Sequence, residues 1–138
     1  MPTHPELALA LVRIATGAIL VMHGWQKVFS AGLTGVTRQY AAAGLPLPLL
    51  VAPVTATLEL LGGLLLLLGV GARGLAGVLG GVTVLIGAAR WAHGALPAPA
   101  VEITVLLAAG CAAVLVGGPG RPGVDGRAEP GRRSRSRP

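Results

Sequence analysis

The hydrophobic residues of this chain form four long runs, separated by shorter connectors rich in polar residues, glycine or proline. The runs cover residues 7–22, 49–70, 75–89 and 101–116. A helix needs about 20 apolar residues to cross a bilayer, and the three shorter runs reach a workable length when their flanks are included. The pattern therefore predicts an all-α protein, a four-transmembrane-helix bundle whose core forms by helix packing within lipid.

The connectors predict how the spans are linked and where the folded part ends. Residues 36–43 predict a short helix that Gly44 ends as a C-terminal cap, and Tyr40 within it suits the water–lipid interface. The link around Arg73 is so short that the second and third spans should form an antiparallel hairpin. Gly, Pro, Ser and Arg dominate the last 20 residues, where no apolar run occurs. We therefore predict a membrane domain over residues 1–118 and a disordered basic C-terminal tail over 119–138.

Composition and charge support a membrane protein and predict its orientation. Of the 138 residues, 53% are hydrophobic and only 12% are charged, which is too little charge for the surface of a soluble domain. Arg73 and the six arginines of the tail place seven basic residues on the side that holds both termini. The other side has three, namely Lys27, Arg38 and Arg90. The positive-inside rule then predicts cytoplasmic N and C termini.

Several classes of function lack a signal in this sequence. The arginine-rich tail has beside it neither aromatic residues nor a folded domain that could recognise nucleic acid. We therefore interpret it as a lipid-contacting tail and expect no nucleic-acid partner. Cys111 is the only cysteine, so the chain has no CxxC redox pair. The histidines and carboxylates do not form a metal motif, and we predict no metal site. No Walker A or nucleophile motif occurs, so no catalytic residue is assigned.

Two isolated charges lie within apolar runs. Arg13 is the only charge in residues 7–22, and Glu59 is the only one in residues 49–70. A charge at such depth costs about 3 kcal/mol on insertion scales, so each should face a partner or a wet cavity. At a rise of about 1.5 Å per residue they lie roughly 9 and 16 Å from the same membrane face, a gap that an arginine side chain can span. We predict a buried ion pair between them, which either only fastens two helices or also lines a pocket for a polar head group.

A second polar group gathers near the opposite ends of the spans. His23 and Lys27 are four residues apart and share a helical face, while Arg90, His93 and Glu102 fall at a similar depth. Histidines and a carboxylate near the interface suit the binding and protonation of a quinone head group. The same residues could instead be interfacial anchors. We take all five as ligand candidates and expect Glu102 to lie close to His23 or Lys27.

Several short blocks of this sequence resemble the DoxX family of small four-helix bacterial membrane proteins. The blocks are LVRIATG at 11–17, HGWQKVF at 23–29, GLPLP at 44–48 and ELLGGL at 59–64, followed by Glu102 and by GPGR at 118–121 with Asp125. The resemblance covers about residues 6–125. It implies a multi-pass protein of the bacterial inner (plasma) membrane that serves a quinone-linked oxidoreductase complex, and it makes a quinone one candidate ligand among amphipathic molecules.

The sequence leaves three hypotheses about function open. In the first, the protein binds a quinone or another amphipathic ligand and is a subunit of a membrane redox complex. In the second, it is a non-enzymatic membrane assembly factor or partner for redox enzymes. In the third, it is a small transporter, which usually needs more helices or a homo-oligomer. Gly77 and Gly81, four apart in the third span, could support either a homo-oligomer or packing inside the monomer.

Overall fold

The computed structural model of this chain describes residues 4–127, which are helical and contain no strand. Two shorter helices are α2 (Gly32–Ala42) and α6 (Val124–Arg127). The predicted all-α class and the four spans are confirmed, because four helices are long and apolar enough to cross a membrane. These four are α1 (His4–Ser30), α3 (Pro48–Leu68), α4 (Ala72–Ala92) and α5 (Ala98–Gly117).

One π-helical turn ends α1, and another interrupts α3. In α1 it covers Gln26–Ser30, and in α3 it covers Leu58–Gly62. A π turn closes its hydrogen bonds over five residues instead of four, so it redirects the side chains it carries and often marks a functional site. Each of these two turns carries one charged side chain, and the two charges meet in the site described below.

The packing of α1 against α3 is close enough to require glycine. A Cβ atom built on Gly24 would lie 2.5 Å from the backbone nitrogen of Leu60, and one built on Gly17 would lie 2.9 Å from the carbonyl oxygen of Gly63. These contacts fix the antiparallel register of the two helices. In that register Arg13 lies level with the C-terminal end of α3. The register therefore decides which charges of α1 and α3 can meet.

The main hydrophobic core lies where α4 and α5 pack against α1 and α3. Large apolar side chains fill this core, with small residues between them. Its buried members are Leu20, Leu66, Ala72, Ala76, Leu79, Leu107, Cys111 and Val114.

Two glycines of α4 allow the close approach of α5. A Cβ on Gly80 would lie 2.9 Å from the Cβ of Cys111, and one on Gly87 would lie 2.6 Å from Cγ2 of Thr104. Gly81 was predicted from sequence to pack against another helix, but a Cβ there would have no atom within 4 Å from other parts of the described chain. The tight contact of α4 is therefore on a neighbouring face of the helix.

The short helix α2 covers a second, smaller core at the end of the bundle where α1 ends. Gly44 follows this helix with a φ of +68°, and Leu45 N donates to Tyr40 O at 3.0 Å. This is the glycine C-cap that the sequence predicted. The buried residues of the second core are Val36, Tyr40, Ala43, Leu45 and Ala52.

Residues 118–125, which we call the C-terminal segment, fold across the end of the bundle where α1 begins. The Asp125 carboxylate accepts hydrogen bonds from Gly71 N at 3.2 Å and Ala72 N at 3.0 Å, so it caps the first turn of α4. Asp125 N also donates to Gly69 O at 2.9 Å. The structure thus places the end of the folded part later than the boundary at residue 118 that composition predicted. Residues 128–138, the remainder of the predicted tail, lie outside the described residues.

Candidate functional site

The predicted pair between Arg13 and Glu59 is wrong, because the register of α1 against α3 separates the two residues. Arg13 lies level with Gly69, ten residues after Glu59, and ten residues span about 15 Å along a helix. The guanidinium of Arg13 is buried and donates instead to the backbone oxygens of Pro119 at 2.9 Å and Pro122 at 2.6 Å. Arg13 therefore fastens the C-terminal segment to the bundle and belongs to no polar site with Glu59.

Glu59 pairs with Lys27, where the two π-helical turns meet. Lys27 Nζ lies 2.5 Å from Glu59 Oε1, and the two side chains are only 21% and 13% exposed. Lys27 Nζ also donates to the hydroxyl of Tyr40 at 3.0 Å. A carboxylate in a membrane span requires such a partner. The base that meets this requirement belongs to the polar group at the other end of α1.

Tyr40 and Thr55 continue this contact as a hydrogen-bond chain with a defined direction. Thr55 Oγ1 donates its hydrogen to Ala52 O at 3.1 Å, so it accepts from the Tyr40 hydroxyl at 3.2 Å. The Tyr40 oxygen in turn accepts from Lys27. Tyr40 is buried, and sequence reasoning, which assigned it only to the lipid interface, missed this role. These hydrogen bonds hold the ammonium group of Lys27 in place beside Glu59.

A cavity of about 140 Å³ lies beside Glu59, between α1, α3, α4 and α5. Its polar lining includes His23, Thr83 and Arg90. Among the described residues, Glu59 Oε2 and Arg90 Nε are buried polar atoms without a hydrogen-bond partner. No ion pair within 4.0 Å joins these two side chains in the described part of the chain. One ring-sized cavity is therefore lined by two side chains that each have an unsatisfied buried atom, an acceptor on Glu59 and a donor on Arg90.

His23 lies between this cavity and a second hollow closer to α2. The hollow has a volume of about 430 Å³, and Lys27, Gln26 and Gln39 contribute to its lining together with His23. The base of the buried ion pair thus faces the hollow, while Glu59 faces the cavity. His23 is the side chain that lines both.

The structure brings three of the five ligand candidates, His23, Lys27 and Arg90, to the cavity or the hollow. His93 does not line either of them. It is exposed at the end of α4, where its Nδ1 lies 3.0 Å from Ala89 O. Sequence patterns provided no basis for separating His93 from the other four candidates, because only their depth in the membrane was estimated.

Glu102 is the second candidate that lies outside the site, contrary to the expectation that it approaches His23 or Lys27. It is exposed, lines neither volume, and forms no ion pair with either of these residues within the described chain. The reason is the rotation of α5, which turns Ile103 and Thr104 towards the cavity, so that the preceding side chain points elsewhere. Glu59, not Glu102, is the acid of this site.

Comparison with known proteins identifies the family. A sequence profile of DoxX matches residues 8–94, well over half of the chain. The chain belongs to the DoxX family. The matched region runs from α1 into the end of α4, so it includes Lys27, Glu59 and Arg90. Together, the family and the four spans indicate a multi-pass membrane protein.

One similar protein carries a functional name. This DoxX chain is 39% identical over 83 residues to "Putative oxidoreductase CatD" of Bacillus subtilis (strain 168). The alignment covers 60% of this chain, which spans 58% of the length of that relative. No solved structure matches this chain.

Proposed function

We propose that this DoxX protein binds the ring of a quinone-type amphipath in the cavity beside Glu59 and is the quinone-binding subunit of a membrane redox complex. The observation that supports this most directly is the pair of unsatisfied buried atoms, Glu59 Oε2 and Arg90 Nε, which belong to the lining of one cavity. A buried polar atom without a partner costs about 1–3 kcal/mol. A ligand that satisfies both atoms would recover that free energy.

The size and lining of the cavity suit a six-membered ring. An engineered protein cavity of about 150 Å³ binds benzene, and this one measures about 140 Å³. Ile86, Ile103 and Leu107 supply an apolar wall for the faces of a ring, while the polar lining suits its oxygens. Ile103 is 41% exposed at the surface of the bundle, so an alkyl tail can leave the cavity beside it and enter the lipid.

The redox role rests on family membership and on the name of the similar Bacillus subtilis protein. As the quinone-binding subunit, this chain would hold the ring while electrons pass to or from a partner protein. His23 would then hold or move protons at the ring oxygens. The contact of His23 with both volumes gives those protons a route towards the hollow.

The orientation that fits this role places both termini in the cytoplasm of a bacterial cell. The seven-to-three distribution of basic residues across the spans supports it. The cavity and the hollow would then lie in the outer half of the plasma membrane. His23 would face the non-cytoplasmic side.

Native mass spectrometry of the detergent-solubilised protein with decylplastoquinone tests the proposal. We expect one bound quinone per chain in the wild type and in Arg38→Met, which removes an exposed base at the same end of the bundle. Arg90→Met should weaken binding about tenfold or more, because a hydrogen bond to a charged group is lost. A wild type that binds no quinone would refute the proposal. A co-purifying polypeptide without ligand would then favour the assembly factor, and uptake into liposomes would favour the transporter.

A further inference from the structure

We infer that the cavity selects the reduced, hydroxyl-bearing form of its ring ligand, because Glu59 offers an acceptor that only a hydrogen-bond donor can satisfy. This inference rests on the proposed function and adds to it the redox state that the site holds. It depends on the two unsatisfied atoms of the cavity and on the direction in which each can hydrogen-bond.

Glu59 sets the first requirement on the ligand. Its Oε1 accepts from Lys27 Nζ at 2.5 Å, whereas its Oε2 is buried without a partner in the described chain. A carboxylate paired with an ammonium group carries no hydrogen, so Oε2 can only accept. A quinone carbonyl next to it would bring two acceptors together, and both would stay unsatisfied. A hydroxyl group at the same place would donate to Oε2.

Arg90 sets the opposite requirement. One of its terminal nitrogens donates to Ala95 O at 3.2 Å, but its buried Nε has no partner among the residues that the structure describes. A guanidinium can only donate, so Nε needs an oxygen that accepts. Glu59 is not that acceptor, since no ion pair within 4.0 Å joins it to Arg90. The matching ligand therefore offers one hydroxyl hydrogen and one oxygen lone pair on a ring-sized body.

A quinol satisfies both requirements, whereas a quinone satisfies only one. One hydroxyl of a quinol donates to Glu59, and the oxygen of the other accepts from Arg90. The missing hydrogen bond to a charged group should make the quinone bind about tenfold or more weakly than the quinol. For a two-electron couple, a tenfold difference raises the reduction potential of the bound pair by about 30 mV.

Glu59→Gln should reverse this preference. Lys27 can only donate, so it holds the amide with its oxygen towards Nζ and leaves the amide nitrogen at the place of Oε2. The cavity then contains two donors, the amide and Arg90 Nε. Two donors match the two carbonyl oxygens of a quinone. The ratio of quinol affinity to quinone affinity should fall from about ten or more to below one.

The test compares dissociation constants of decylplastoquinol and decylplastoquinone, measured anaerobically in detergent by isothermal titration calorimetry. The matched control is Glu102→Gln, which neutralises an exposed carboxylate outside the cavity and should keep the wild-type ratio. A second pair of probes, 4-methoxyphenol and 4-fluoroanisole, has similar shape but differs in one hydroxyl donor, and neither probe is converted into the other by oxidation or reduction. In saturation-transfer NMR the wild type should favour the phenol, and Glu59→Gln should not.

The outcomes separate the inference from the proposed function. Equal affinity for quinol and quinone in the wild type, as expected if bridging waters satisfy both atoms, overturns the inference but leaves quinone binding intact. An unchanged ratio in a folded Glu59→Gln variant overturns it as well. Binding of neither form overturns the proposed function itself. If Glu59→Gln elutes as an aggregate, the phenol and fluoroanisole pair on the wild type decides alone.

Discussion

Replacing Lys27 by methionine should destabilise the bundle by leaving Glu59 buried without its charge partner. Both carboxylate oxygens would then lack a hydrogen bond. Removing one member of a buried ion pair costs about 3–5 kcal/mol. Because Lys27 is 21% exposed and Glu59 13% exposed, we expect the lower value, about 3 kcal/mol. Methionine keeps an unbranched side chain of similar length, so little of this loss comes from packing.

A double-mutant cycle isolates the interaction between the two charges. Glu59→Gln alone should cost less, because a neutral amide still accepts from Lys27. In the double variant the stranded carboxylate is gone, and we expect a coupling free energy of about 2 kcal/mol, within the range for residues in contact. Equilibrium unfolding in mixed micelles gives the four free energies of unfolding. Arg38→Met, an exposed base on α2, should change stability by less than about 0.5 kcal/mol. Strictly additive losses would show that Lys27 and Glu59 do not interact and would refute this reasoning.

Three further predictions follow from the packing and the charges. Gly24→Ala should lower the free energy of unfolding by about 1–3 kcal/mol, because its Cβ would lie 2.5 Å from the backbone of α3. Gly81→Ala adds its methyl group in open space and should not destabilise the protein. Equal losses of stability in the two variants, measured in the same unfolding assay, would contradict the close packing. Asp125→Ala should cost about 1 kcal/mol as a lost N-cap and should speed hydrogen exchange in the first turn of α4, while unchanged exchange would argue against capping. A reporter enzyme fused after residue 127 should be active only in the cytoplasm, and periplasmic activity would overturn the predicted orientation.

The spans could be predicted because lipid imposes a simple condition on sequence. Each needs an apolar run long enough to cross the bilayer, with its backbone satisfied internally. The run at 49–70 therefore differs by two residues at most from α3, Pro48–Leu68. The C-terminal cap at Gly44 could also be predicted, because a glycine after a helix and shortly before a proline is a local signal.

The partners of the buried charges could not be predicted in the same way, because register between helices is not a local property. Depth was counted from the start of one apolar run and the end of the other, as though α1 began and α3 ended in one plane. The contacts of Gly17 and Gly24 with α3 set a different register, and it is this register that moves Arg13 away from Glu59. The π-helical turns could not be predicted either, because the apolar pattern follows the α-helical period of about 3.6 residues. The rotation of α5, which excludes Glu102 from the site, depends on packing with α4 and α1.

The contact between the C-terminal segment and α1 also has a consequence for the order in which the protein folds. Arg13 belongs to α1, while its acceptors, Pro119 and Pro122, follow α5 and are synthesised more than 100 residues later. The bundle cannot close at this end until that segment has left the ribosome. Until then, water or lipid phosphate must bind the guanidinium, which keeps this part of α1 near the membrane surface. A bundle of four inserted helices is thus an intermediate stage, and its packing around Arg13 is completed only when the C-terminal segment docks on α1.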